Sequence, residues 1–226
     1  MRITGPIGAV ILDMDGTLHD TEIAYYLALK RAVAGVGFEV SDHFCHSLIG
    51  IPAKECDLLL REHLGPEFPF AECDRLYVEH RDSLLAEGIP LKAGAMELLE
   101  FLAHERIPTA VATSASRRAA ELHLSRSGLR GRLSVVVTRD DVTHGKPHPD
   151  LFLKAAHSLG AAPERCLAVE DSFNGIRAAH AAGMMALMVP DLVQPTPEIQ
   201  AICAHIAVEL REVQTIISSR WQTPKP

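Results

Sequence analysis

Short runs of consecutive aliphatic and β-branched residues recur at Ala9–Leu12, Thr109–Thr113, Val135–Thr138, Leu167–Val169 and Ala186–Val189. Runs this brief, with no polar alternation, fit strands buried on both faces. Between them, Ala93–Glu105, Ser116–Ser127, Pro149–Leu159 and Asn174–Ala182 carry apolar residues at helical spacing, with Gly or Pro near their ends. Strands that alternate with helices predict an α/β fold, a parallel sheet flanked by helices. The segment 19–87 departs from this pattern. Ala24, Leu27, Ala28 and Val33, then Leu58, Leu60 and Leu76, keep helical spacing with no strand run among them. We read it as a helical cap domain inserted after the first strand, between the two parts of an α/β core, residues 1–18 and 88–226. Gly88-Ile89-Pro90 punctuates the return to the sheet.

Composition narrows the functional classes. A chain of 226 residues has room for one large domain or two unequal ones. Apolar residues make up 47% and charged residues 23%, the balance of an ordinary globular protein. The formal charge is −7, with no basic run able to neutralise several phosphates of a duplex, so no nucleic-acid partner is expected and a small substrate fits better. The first residues, MRITGPIGAVILDMDG, read as neither signal peptide nor membrane span, so we expect a cytoplasmic protein with no membrane partner. Five cysteines without a C-x-x-C pair argue against a disulfide framework and a structural zinc site, and are read as reduced core residues. Twelve scattered histidines are read as surface or packing groups. No large apolar stripe asks for a second subunit, so a monomer is expected.

The polar residues that follow the strands carry the candidate chemistry. Asp13-Met14-Asp15-Gly16-Thr17 closes the first strand, and open α/β sheets bind ligands at the carboxyl ends of their strands. Two carboxylates two residues apart, followed by a glycine that lets the backbone turn, can face one cleft, one as nucleophile and one as acid. A plain Asp-Gly turn competes with that reading. The other strand ends favour the catalytic one: Thr113 and Ser114 offer hydroxyls to phosphate, Lys146 in Gly145-Lys146-Pro147 offers a positive charge, and Glu170-Asp171 offers two more carboxylates. Hydroxyls, a lysine and several carboxylates on one sheet edge suggest metal-assisted phosphoryl transfer.

These four segments, in this order, resemble the motifs of the haloacid dehalogenase superfamily, in its helical-cap, β-phosphoglucomutase-like phosphatase branch. They read Ala9-Val10-Ile11-Leu12-Asp13-Met14-Asp15-Gly16-Thr17, Thr113-Ser114, Gly145-Lys146-Pro147, and Val169-Glu170-Asp171-Ser172 with Asn174-Gly175. The resemblance spans nearly the whole chain and implies a Rossmann-like core. It implies Asp13 as the nucleophile that becomes phosphorylated, and Asp15 as the acid that protonates the leaving oxygen and then takes a proton from water. It implies Mg²⁺ held by Asp13, the backbone carbonyl of Asp15, and Asp171. Ser114 would hold the phosphoryl oxygens and Lys146 would offset charge on phosphate and Asp13, with Thr113 as a second hydroxyl. Glu170 is left between two roles, at the metal's water or as a partner of Lys146. Lys54, in the family's specificity loop, is read first as a solvated lysine at a helix start. Asp20 and Thr21 stand where a hinge would lie, and Thr21 is also a candidate helix N-cap.

The expected enzyme is thus a phosphoric monoester hydrolase acting on a small phosphorylated metabolite. The alternative is a β-phosphoglucomutase-type sugar phosphomutase. Two departures count against it: Tyr25 stands where those mutases carry a histidine five residues past the hinge aspartate, and Ala53, beside Lys54, stands where they carry a phosphate-gripping arginine. Dehalogenation is disfavoured by Asp15, because a carbon–halogen bond leaves no alkoxide to protonate. A non-catalytic binding protein is disfavoured by the intact carboxylates and Lys146.

Overall fold

The structure is a computed structural model that describes residues 3, 5–48, 51, 53–86 and 88–221, with backbone alone at 53–55. The described chain forms two compact units, Met1–Asp20 with Pro90–Pro226, and Thr21–Ile89. The larger is built on six parallel strands: β1 (Ala9–Leu12), β2 (Thr109–Ala112), β3 (Val135–Val137), β4 (Cys166–Glu170), β5 (Met185–Met188) and β6 (His205–Ile206), in the order β3-β2-β1-β4-β5-β6. The expected α/β class is therefore the one observed, and β1 lies between β2 and β4.

Alternation along each strand divides the core into two layers. Val10 and Leu12, Leu167 and Val169, and Met185 and Leu187 face one layer; Ala9 and Ile11, Cys166 and Ala168, and Ala186 and Met188 face the other. Among the described residues, ten helices cover these layers and build the smaller unit. In chain order the helices are α1 (Glu22–Gly35), α2 (Asp42–Ser47), α3 (Ala53–Leu64), α4 (Phe70–Leu84), α5 (Ala95–His104), α6 (Arg117–Arg126), α7 (Asp150–Leu159), α8 (Phe173–Ala181), α9 (Pro197–Ile202) and α10 (Leu210–Arg220). The first layer is covered by α5, α6 and α10 through Leu98, Leu102, Leu124, Val213 and Ile217; the second by α7, α8 and α9 through Phe152, Ala156, Ile176 and Ile199. Burying a side chain such as Leu167 or Leu187 stabilises the fold by about 1.5–3 kcal/mol.

Local signals mark the helix ends. Ser116 caps α6 by accepting from Ala119 N, Ser172 caps α8 by accepting from Gly175 N, and Gly160 closes α7 at φ +64°. Thr21 occupies the N-cap position of α1, but its side chain makes no capping hydrogen bond and its backbone is already helical at φ −101°, ψ −16°. The smaller unit consists of α1 to α4 around a core of its own, with Ala32, Val33, Val40, Cys45, Phe68 and Cys73 buried. Within the larger unit the chain leaves and returns along one short seam: His19 bridges Leu91, Asp20 N donates to Pro90 O at 2.9 Å, and Lys92 N donates to Leu18 O at 3.0 Å. The five cysteines form no disulfide. Among the described residues no helix is long and apolar enough to cross a membrane.

Candidate active site

The parallel pairing carries three polar residues to neighbouring strand ends. Asp13 N donates to Val169 O and Thr113 N donates to Val137 O, each at 2.9 Å, so both residues extend the ladder one step past their strands. Asp171 follows β4 directly. Lys146 arrives from the loop before α7 and is only 5% exposed. Its ammonium donates to Asp13 Oδ1, to Glu170 Oε1 at 2.5 Å and to Ala112 O at 3.0 Å, which uses all three of its protons.

Glu170 has no exposed surface. Its second oxygen accepts from Asp171 N at 3.1 Å, Ser172 N at 3.0 Å and Ser172 Oγ at 2.9 Å, so the turn into α8 wraps the carboxylate. Asp171 Oδ1 accepts from Thr17 Oγ1 at 2.8 Å. Two glycines make this packing possible. A Cβ at Gly175 would lie 1.8 Å from the Glu170 carboxyl, and one at Gly16 would lie 2.4 Å from Asp171 Oδ2, at a backbone φ of +84°.

Asp13, Glu170 and Asp171 each bring a carboxylate oxygen within 4.8 Å of the others. Three buried carboxylates thus face a single ammonium, and burying unpaired charge is costly. Burial pushes the Asp13 carboxyl well above its usual range, against the opposing charge of Lys146. Burial works to lower the Lys146 pKa, yet the charges of Asp13 and Glu170 outweigh it and hold the lysine above its ordinary value. A divalent cation answers both the surplus charge and the all-oxygen donor set, so these residues fit a hard metal ion.

The expected hydroxyls are arranged less tightly. Thr113 is buried and its Oγ1 accepts from Ala115 N at 3.0 Å, while Ser114 is exposed. The Asp15 side chain belongs to a different group, with His19 and His123. His123 Nδ1 lies 3.5 Å from Asp15 Oδ1, and His19 Nε2 is 2.9 Å from Ser127 Oγ. Burial, reinforced by His123 and resisted by Asp15, lowers the His19 pKa to about 4. Neither histidine stood out in the sequence. His123 is one imidazole on the buried face of α6 between Ala120 and Leu124, a position that reads as packing. Lys54 and Ala53, in the expected specificity loop, lie outside the described side chains, and Gly50 and Pro52 outside the described residues.

Residues 10–189 match the haloacid dehalogenase-like hydrolase family. The chain belongs to that family. A phosphorylated carbohydrates phosphatase of Thermotoga maritima is 34% identical over 176 residues, 78% of this chain and 82% of that protein. The crystal structure of CbbY from Rhodobacter sphaeroides, solved in complex with phosphate, superposes with a TM-score of 0.78 at 29% identity over 92% of this chain and 96% of that one. A β-phosphoglucomutase from Clostridium difficile superposes with a TM-score of 0.75 over 94% of this chain and 98% of that one; at 22% identity this is a likeness of fold. The expected branch of the family and the expected enzyme class, phosphoric monoester hydrolase, stand on these relatives.

Proposed function

We propose that this haloacid dehalogenase-like hydrolase is a Mg²⁺-dependent phosphatase that cleaves a small phosphorylated metabolite through an aspartyl-phosphate on Asp13. The observation that carries the proposal is the buried cluster of Asp13, Lys146, Glu170 and Asp171 at the ends of β1 and β4. In this reading Asp13, Asp171 and the backbone carbonyl of Asp15 hold the ion, with Glu170 beside it. Bound Mg²⁺ supplies the positive charge without which a carboxylate would have to approach an anionic phosphate.

An oxygen of Asp13 forms a bond to phosphorus as the phosphorus–oxygen bond to the leaving group breaks, and Asp15 gives its proton to the departing alkoxide. Water then attacks phosphorus, Asp15 takes the water's proton, and inorganic phosphate leaves with Asp13 restored. Lys146 keeps a fixed positive charge against Asp13 and the phosphoryl group. Ser114 and Thr113, at the end of the adjacent β2, donate hydroxyl protons to phosphoryl oxygens. Glu170, tied to Lys146 and to the start of α8, holds the ammonium in place. The unit Thr21–Ile89 is the cap of this reading, joined to the core at Asp20.

Relatives named for phosphorylated carbohydrates and for fructose 1-phosphate make sugar phosphates the first substrates to try. The test is a panel of phosphorylated carbohydrates with Mg²⁺ present, including β-glucose 1-phosphate with catalytic glucose 1,6-bisphosphate. Stoichiometric release of inorganic phosphate from at least one sugar phosphate is expected. Glucose 6-phosphate formed faster than inorganic phosphate would replace the phosphatase with the mutase.

A further inference from the structure

We infer that Asp15, His19 and His123 form a second metal site, selective for a borderline transition-metal dication of the zinc class and separate from the all-carboxylate cluster. One carboxylate oxygen and one nitrogen of each imidazole lie within 4.8 Å of one another. Zinc bonds of about 2.0–2.2 Å at tetrahedral angles separate ligand atoms by roughly 3.4 Å. The 3.5 Å between His123 Nδ1 and Asp15 Oδ1 matches that edge and is longer than a good hydrogen bond. Imidazole with a carboxylate suits zinc, nickel or copper, whereas magnesium prefers oxygen alone.

The hydrogen bonds around His19 say which nitrogen is available. Ser127 Oγ donates its single proton to Leu124 O at 3.2 Å, so it must accept from His19 Nε2–H at 2.9 Å. The lone pair of a neutral His19 is therefore on Nδ1. That atom is buried in a residue with no exposed surface and has no hydrogen-bond partner, and neither has His123 Nδ1. Two buried imidazole nitrogens without a hydrogen bond, next to a carboxylate, are costly unless something fills the space among them. The frame is set in advance: His19 bridges Asp15, Gly16 N donates to His19 O and His19 N donates to Met14 O, both at 2.9 Å. Ser127 then plays the outer role common around metal-bound histidines, fixing tautomer and ring. Asp15 remains partly exposed and gives an ion a way in.

Occupation of this site withdraws the Asp15 carboxylate from proton transfer, so zinc is an inhibitor; that consequence rests on the acid–base role proposed for Asp15, while the site itself does not. The test is calorimetric titration of the full chain with Zn²⁺ in excess Mg²⁺, together with the visible spectrum of the Co²⁺ form. One tight Zn²⁺ site with a tetrahedral Co²⁺ spectrum is expected, and it persists in Asp13→Asn. Ser127→Ala weakens it by about 10–100-fold, and His123→Gln weakens it further, with circular dichroism confirming that both variants are folded. Equal Zn²⁺ affinity in wild type and both variants overturns the inference. So does a site that is lost in Asp13→Asn and kept in His123→Gln, which puts zinc in the carboxylate cluster. Because the readout is binding, an inactive enzyme with this site intact counts against the phosphatase proposal alone.

Discussion

Lys146 and His19 illustrate opposite solutions to burying a titratable group. Lys146 keeps its charge because two carboxylates and a carbonyl take its three protons. His19 gives its charge up: Ser127 serves one nitrogen, the other has no partner, and burial lowers its pKa to about 4. In an unfolded chain the same imidazole titrates near 6.5. Below that value the unfolded chain binds a proton that the folded one refuses, so stability falls as pH drops from about 6.5 towards about 4. We expect this to cost about 2 kcal/mol between about pH 7.5 and about pH 5 in chelator. Urea unfolding of wild type and His19→Leu at the two pH values measures it. The variant is expected to lose that share of the pH dependence, and an unchanged slope would mean another group carries it.

The turn from β4 into α8 concentrates several functions in a few residues. Ser172 caps the helix through Gly175 N while donating to Glu170, and Gly175 leaves the space that the Glu170 carboxyl fills. We expect Gly175→Ala to destabilise the core by roughly 1–3 kcal/mol through overpacking, and to lower turnover by displacing Glu170 from Lys146. A melting curve beside a rate assay checks this; full activity in a stable variant would show that Glu170 tolerates displacement. The strands that carry the site were legible in the sequence, since β1, β2, β4 and β5 are unbroken apolar runs whose observed ends lie within one residue of the pattern. β6 was not, because His205-Ile206 is two half-buried residues with no run to read. Asp13, Lys146, Glu170 and Asp171 are legible in the sequence because each adjoins a strand end or a recognisable motif. The histidine pair is not: His19 and His123 meet only through the fold, and each alone looks like packing. Thr21 fell between, since its position marked the start of α1 but its helical backbone leaves the side chain no capping geometry.

Across the whole molecule, the carboxylate cluster makes stability depend on what is bound. Three carboxylates against one ammonium leave surplus negative charge in the core, and an ion that binds only the folded form stabilises it by mass action. At about a hundredfold its dissociation constant, Mg²⁺ should raise the melting temperature by roughly 5–10 °C. Asp171→Asn should reduce the shift, and a wild-type melting curve indifferent to Mg²⁺ would argue against the metal site. The central claim, that the phosphoryl group passes through Asp13, can be tested directly. The chain is mixed with a sugar phosphate that it turns over in Mg²⁺, quenched in acid within one turnover, digested and analysed by mass spectrometry. We expect a phosphoryl group on the peptide containing Asp13, absent when Asp13→Asn is treated in the same way; turnover with no covalent phosphoryl group, or with one on a different residue, would contradict the assignment.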